Sequence, residues 1–501
     1  MAVSWTKEQQ KVIDTRDCNI LVSAAAGSGK TAVLVERILE RIMDKNRPVD
    51  IDRLLVVTFT RAAAGEMKER IARAIEKRLE EDSENEHLQR QSTLVHHAQI
   101  TTIDSFCAYV VKNYFHLIDL DPSFRMGDEG EMRLMKGDVA EKILEEAYGR
   151  EDYEEFSSFV EGFAQGKSDE NIEDLVLKLY EFSMSYPYPR EWLEECRRAY
   201  QVKSREELEN APWMGAIKGE LRKQMEEAEE LLSQALEIAG EGDGPGFYIP
   251  LLEEEKKSVE NLLSMEKFFQ WKEAMDHLEF KRLPPGKKAE KEQVTEEKQE
   301  LAKNLRSQAK DLLNDLKGKY FQESTEEMLE HLQGAARPVG VLVDLTLAFM
   351  EAYKKKKQEK NILDFSDLEH YALEILVDHS PQKDERTQAA RELADQFAEI
   401  MIDEYQDSNL VQEKILTSVS RVEEGEYNIF MVGDVKQSIY RFRLARPDLF
   451  MEKFRSYPTT PGGKTYRIDL HKNFRSRGTV LDSVNYLFYQ IMGEDLGGVE
   501  Y

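Results

Sequence analysis

Ser23-Ala24-Ala25-Ala26-Gly27-Ser28-Gly29-Lys30-Thr31 follows the apolar run Asn19-Ile20-Leu21-Val22 and opens an amphipathic run over residues 32–43. That order predicts a strand, a tight glycine turn and a helix. In such a turn the backbone N–H groups converge on a phosphate, and the helix N-terminus adds partial positive charge. Lys30 is placed to reach β- and γ-phosphates and the Thr31 hydroxyl to ligate Mg²⁺, so ATP with Mg²⁺ is the expected occupant. Against the pattern G-x-x-x-x-G-K-[ST], Ala24 replaces the first glycine. The flanking strand and helix disfavour the plainer reading, a small-residue turn with a solvent lysine. Upstream, Gln9 carries an amide that can both donate to and accept from an adenine edge, although surface glutamines are common.

Downstream, Leu54-Leu55-Val56-Val57-Thr58-Phe59 is an unbroken apolar run, the signature of a strand buried on both faces of a parallel sheet. It runs into Thr60-Arg61 and a helical stretch, at the strand end where open α/β sheets bind ligands. Phe59 there either stacks on a base, with Thr60 and Arg61 on phosphate, or is ordinary core. The pattern recurs at Gln99-Ile100-Thr101-Thr102-Ile103-Asp104-Ser105, with Thr102 and Ser105 as the hydroxyls.

Residues 128–360 change to charged, helical sequence, read as a large all-helical insertion. Breaks fall at Tyr186-Pro187-Tyr188-Pro189, at 240–246 and at Leu283-Pro284-Pro285-Gly286. Residues 287–308 are either a mobile loop or a solvated helix. The run Lys354-Lys355-Lys356-Lys357 reads as a solvated helix end or as a contact to duplex DNA.

Compact sequence returns at Asn361-Ile362-Leu363-Asp364-Phe365-Ser366-Asp367-Leu368. Phe397-Ala398-Glu399-Ile400-Met401-Ile402 reads as a buried strand ending in Asp403-Glu404-Tyr405-Gln406-Asp407. One carboxylate at a strand end can hold Mg²⁺, and its neighbour can orient and deprotonate water. Asp403 takes the metal role and Glu404 the base role. Asn428-Ile429-Phe430-Met431-Val432 leads into Gly433-Asp434-Val435-Lys436-Gln437-Ser438-Ile439-Tyr440-Arg441-Phe442-Arg443, a strand end suited to couple a γ-phosphate to bases. Last, Arg467-Ile468-Asp469-Leu470 leads to His471-Lys472-Asn473-Phe474-Arg475-Ser476, where Arg475 can neutralise γ-phosphate charge and Phe474 can cover adenine.

The chain has 501 residues, enough for about three domains. No apolar run approaches a membrane span, and the first ten residues hold no apolar secretory core, so a cytoplasmic protein without a membrane partner is expected. Three scattered cysteines, Cys18, Cys107 and Cys196, form neither a disulfide framework nor a metal spacing. The 97 acidic against 69 basic residues give a net charge of −28, which taken alone argues against nonspecific binding to nucleic acid. A motor can still hold DNA in a local groove.

With these motifs in order, the sequence resembles the UvrD-like superfamily 1A DNA helicases, in particular the AddA-type subunits of bacterial helicase/nucleases. The resemblance implies a RecA-like P-loop sheet flanked by helices (residues 1–127 and 361–460), interrupted by the helical insertion (128–360) and followed by the start of a second RecA-like domain (461–501). It implies an ATP-dependent DNA helicase motor moving 3′ to 5′, acting on single-stranded and duplex-end DNA in double-strand-break repair, paired in a heterodimer with an AddB-type subunit. Gln9 would read adenine, Lys30 and Thr31 would be the P-loop pair, and Asp403 and Glu404 the metal and water residues. Gln437 would couple ATP state to DNA, Arg443 and Arg475 would sense the γ-phosphate, and Phe59, Tyr440 and Phe442 would contact bases. Related helicases often carry tryptophan where Phe442 stands. The family's second motor domain supplies a further arginine, and the AddA type also carries a nuclease domain. The chain stops at Tyr501, so the resemblance implies the amino-terminal portion of a longer protein, with exonuclease activity only in the full length. A stand-alone repair helicase and a nucleotide-binding scaffold without turnover are the competing readings.

Overall fold

A computed structural model describes residues 4–149, 153–164, 168–287, 293–493 and 501. The chain forms two compact units: residues 1–143, 173–190 and 348–501 make the first, and residues 144–172 and 191–347 the second.

The first unit is built on a six-stranded sheet of β1 (Asn19–Ala24), β2 (Leu54–Thr58), β3 (Gln99–Thr102), β4 (Glu399–Asp403), β5 (Ile429–Gly433) and β6 (Thr465–Leu470). Their order is β6-β1-β5-β4-β2-β3, and every pairing is parallel. This is the α/β P-loop sheet flanked by helices that the apolar runs predict. Side chains alternate between two cores because the strand period is two. Leu21, Leu55, Val57, Ile400, Ile402 and Met431 enter one core, and Ile20, Val22, Leu54, Val56, Met401 and Phe430 the other.

Within segment 461–501, expected to begin a second domain, Thr465–Leu470 forms β6 of this same sheet. Tyr466, Ile468 and Leu470 are buried on alternate positions, and β6 pairs with β1 from Asn19↔Thr465 to Ala24↔Leu470. A half-buried alternating strand satisfies its backbone most simply on an open sheet edge.

Helices α1 (Lys7–Asp14), α2 (Lys30–Ile42), α3 (Arg61–Glu81) and α4 (Ile103–Tyr114) follow or precede the first strands. Arg37 of α2, 2 % exposed, donates from Nε to Glu399 at 2.9 Å and lies 4.7 Å over the Phe430 ring. Arg41 pairs with the other oxygen of Glu399 at 3.0 Å. The helix that carries Lys30 is thereby tied to the strand that ends in Asp403.

The described residues of the second unit are mostly helical, with an irregular stretch at 278–287. Leu221, Met225 and Leu232 of α5 (Met214–Gly240) share a core with Ala302, Ala309 and Leu313 of α6 (Glu296–Tyr320). Stretch 287–308 is therefore helical from Glu296 onward, with Ala302 buried on it; residues 288–292 lie outside the described residues. In the lysine run Lys357 is 3 % exposed rather than solvated. Its ammonium meets Asp364 at 2.9 Å and Asp367 at 2.6 Å, at the start of α7 (Phe365–Leu376). Cys107 is buried and Cys18 and Cys196 are half-buried. No helix among the described residues is long and apolar enough to cross a membrane.

Candidate functional site

The carboxyl ends of β1, β2, β4 and β5 converge on one cleft of about 380 Å³. Strand β1 continues through Ala24, which is fully buried and paired with Leu470. The residue at the pattern's first glycine is therefore an extended strand residue, and alanine serves there. The left-handed backbone falls on Gly27 (φ +73°) and Gly29 (φ +85°), where a side chain would be strained. Gly29 caps α2, so Lys30 and Thr31 occupy the first turn at the helix's positive end. Ser23, Ala25 and Ala26 complete the loop, with Ala25 and Ala26 exposed and Ser28 buried.

The Lys30 ammonium is 3.0 Å from Glu404 Oε2, and that oxygen also accepts from Gln406 Nε2 at 2.9 Å. Glu404 sits at φ +53°, a conformation that costs a non-glycine residue of order 1 kcal/mol and is characteristic of functional turns. Its amide donates to Asp403 Oδ1 at 3.1 Å. Burial, then the neighbouring Glu404 charge, push the Asp403 carboxyl up to about 6, with Lys30 opposing. Asp407 is likewise raised to about 6 by burial and Glu404, and its Oδ1 is a buried oxygen without a hydrogen-bond partner.

Gln406, which stands inside the Asp403–Asp407 motif but was given no role from sequence, ties the site together. Its amide donates to Glu404 and, at 3.1 Å, to Asp407 Oδ2, while its Oε1 accepts from the Asp434 backbone at 3.0 Å. A Cβ on Gly433 would collide with that Oε1, so glycine at the end of β5 is what lets the amide in. Asp434 in turn accepts from Gln437 Nε2 at 2.6 Å. Gln437 is thus two hydrogen-bonded residues away from Glu404.

Phe59, Tyr440 and Ile439 line the same cleft, together with Glu66 and Arg70 of α3. The Phe59 and Tyr440 rings are 4.5 Å apart and tilted by 32°, and Tyr440 is 5.9 Å from Phe442. Phe442 is 75 % exposed and Ile439 70 %. Thr60 and Arg61 are exposed at the start of α3, where the Thr60 hydroxyl caps Ala63 N at 3.1 Å. Thr102, expected to face nucleic acid, is buried and directed at its own helix, accepting from Ser105 N and sharing a 2.9 Å bond with the half-buried Ser105 hydroxyl. The N-cap preference of threonine decides this.

Gln9 is 5 % exposed with both ends of its amide engaged: Nε2 donates to Ser28 O at 3.0 Å, and Oε1 accepts from Thr6 N at 3.0 Å in a capping box. Phe474 and Arg475 have exposed side chains. The Phe474 amide donates to Gly27 O at 2.8 Å, and Asn473, a second motif residue given no role from sequence, donates to Ala26 O at 2.8 Å. The Arg443 side chain lies outside the described residues.

The model of the UvrD/REP helicase N-terminal domain matches residues 5–458. A Lachnoclostridium phytofermentans protein, named as a subunit of an ATP-dependent helicase/nuclease, is 51 % identical over 99 % of the chain and 36 % of its own length. Proteins of the same name from Clostridium beijerinckii and Thermoanaerobacter sp. are 44 % and 42 % identical over 99 % and 100 % of the chain, and 40 % of their own lengths. The chain thus spans well under half the length of these relatives.

Proposed function

The chain belongs to the UvrD/REP helicase family, and on that premise we propose that it is the ATP-binding and hydrolysing motor portion of a 3′ to 5′ DNA helicase/nuclease that processes double-strand breaks for recombinational repair. One observation carries the reading. A single cleft is lined by Thr31, Asp403, Glu404 and Gln437 and also by Phe59 and Tyr440. Groups suited to a nucleoside triphosphate and groups suited to unpaired bases share one continuous space, as a machine that couples hydrolysis to movement on a strand requires.

Lys30 and the loop amides are assigned to the ATP phosphates, with Gln9 and Phe474 at adenine and Arg443 and Arg475 at the γ-phosphate. The residues present fit a magnesium ion. Asp403 is buried beside a second carboxylate, which raises its carboxyl against the opposing charge of Lys30, and Thr31 lines the same cleft. Mg²⁺ held by Thr31 and Asp403 would neutralise phosphate charge. Glu404 is assigned as the base that orients and deprotonates water. Its carboxylate accepts from Lys30 here, so transfer of the lysine to phosphate frees that carboxylate for the proton. Gln437, reached from Glu404 through Gln406 and Asp434, is the coupling residue. Phe59, Tyr440 and Phe442 are assigned to bases, with Thr60 and Arg61 at that end of the sheet. Single-stranded and duplex-end DNA are the proposed substrates, with an AddB-type protein as heterodimer partner and the cytoplasm as the place of work.

The test is ATP hydrolysis by the chain with and without single-stranded oligonucleotide, at stated salt, beside a Lys30→Ala control. Stimulation by oligonucleotide that the control abolishes is expected. Nucleotide binding indifferent to both Lys30→Ala and oligonucleotide would overturn the motor reading.

A further inference from the structure

Three consecutive carbonyls of the phosphate loop are each met by a donor from outside it. Asn473 Nδ2 donates to Ala26 O at 2.8 Å, Phe474 N to Gly27 O at 2.8 Å, and Gln9 Nε2 to Ser28 O at 3.0 Å. In a trans peptide the N–H points opposite to the C=O. Drawing these carbonyls outward therefore turns the amides of Gly27 and Gly29 to the other side, the side a phosphate must occupy, while the Ser28 amide donates to Ala25 O at 3.1 Å within the loop.

Asn473, like Gln9, works at both ends, but its oxygen holds the turn that bears Arg475. Its Oδ1 accepts from Arg475 N at 2.9 Å and from Ser476 N at 2.8 Å. The partners fix the amide's orientation: a carbonyl must face the NH₂, and two backbone N–H groups must face the oxygen. A Cβ on Gly27 would stand 2.8 Å from both Asn473 Nδ2 and Oδ1, so the glycine makes room for this side chain as well as adopting φ +73°. One side chain thus spans from the loop assigned to the phosphates to the turn that bears Arg475.

We propose that Asn473 is a positioning residue that sets Arg475 against the phosphate loop, so that the protein distinguishes a nucleoside triphosphate from a diphosphate. This rests on the assignment of Arg475 to the γ-phosphate. A charged hydrogen bond to that phosphate exists only for the triphosphate, so losing its alignment changes a ratio of affinities rather than affinity in general. A side chain that merely braced the loop would affect both nucleotides alike.

The experiment titrates the chain with fluorescent ADP and a fluorescent non-hydrolysable ATP analogue and reads the ratio of their dissociation constants. Asn473→Ala is expected to weaken the triphosphate about tenfold more than the diphosphate. Arg475→Ala should do the same, and the double variant should add nothing further. Asn473→Asp, which keeps the acceptors for Arg475 and Ser476 but loses the donor to Ala26, should also lower the ratio. If Arg475→Ala leaves the ratio unchanged, the γ-phosphate assignment fails and this proposal with it. If Arg475→Ala lowers the ratio while Asn473→Ala weakens both nucleotides equally, or neither, the proposal alone is overturned.

Discussion

Replacing Glu404 by glutamine separates two roles that one carboxylate holds. The Lys30–Glu404 pair is 3.0 Å long, with the side chains 12 % and 35 % exposed. Coulomb attraction at that distance is roughly 5 kcal/mol at the effective dielectric of a protein surface. A third of Glu404 is in water, so screening and side-chain ordering offset most of that, leaving a net of about 1 kcal/mol. This attraction competes with phosphate for the lysine. Glu404→Gln removes the charge and keeps the shape, so ATP affinity should rise about fivefold. The gain should vanish in a Lys30→Ala background, where there is no lysine to release. Oligonucleotide-stimulated turnover should fall by a factor of order 10² or more, the usual loss when a general base is removed. Fluorescent-nucleotide titration gives the first quantity and phosphate release the second. Unchanged turnover would remove Glu404 from the base role. Affinity that is unchanged or weaker would refute the competition for Lys30.

Phe59→Ala and Tyr440→Ala should each weaken single-stranded oligonucleotide binding about tenfold in an anisotropy titration, within the range of one stacked base. Because the rings are 4.5 Å apart, the double variant should lose less than the product, and two silent single variants would exclude this wall from DNA contact. Glu369 of α7, 7 % exposed, accepts from Gln412 Nε2 at 2.7 Å, and burial raises its carboxyl to about 7. Its folded form therefore holds a proton that the unfolded form has released, so its contribution falls as pH rises from about 4.5 to about 7 and the full penalty stands above that. Glu369→Gln should melt higher than the parent at pH 8, by an amount on the order of 2 kcal/mol, with little difference near pH 4.5. Equal melting temperatures at both pH values would contradict the buried-carboxyl account.

The strands were legible because parallel strands buried on both faces leave unbroken apolar runs, as at Leu54–Thr58 and Glu399–Asp403. The phosphate loop was legible from its glycines, although the reason alanine suffices at position 24 required seeing β1 extend through it. Local patterns do not encode which strand neighbours which. The placement of Thr465–Leu470 beside β1, rather than in a separate body, was therefore not readable. Gln406 and Asn473 stand inside quoted motifs, but their roles escaped for the same reason: each acts through backbone groups of distant segments, the amide of Asp434 and the carbonyl of Ala26. Lys357 looked like one more surface lysine until α7 supplied Asp364 and Asp367.

The strand that begins the phosphate loop is flanked by β5 and β6, both encoded far downstream; Asn19 and Ile429, joined by a side-chain hydrogen bond, are 410 residues apart. At roughly 5–20 residues per second, a ribosome takes on the order of half a minute or longer to make that interval. During that time β1 has neither neighbour, whereas the helical unit of residues 144–172 and 191–347 is fully synthesised before β4 exists. The earliest-made motif is thus among the last to be assembled. The nascent chain would complete the sheet around the phosphate loop only near the end of this stretch, after a long period with an apolar strand exposed to chaperones or to its neighbours.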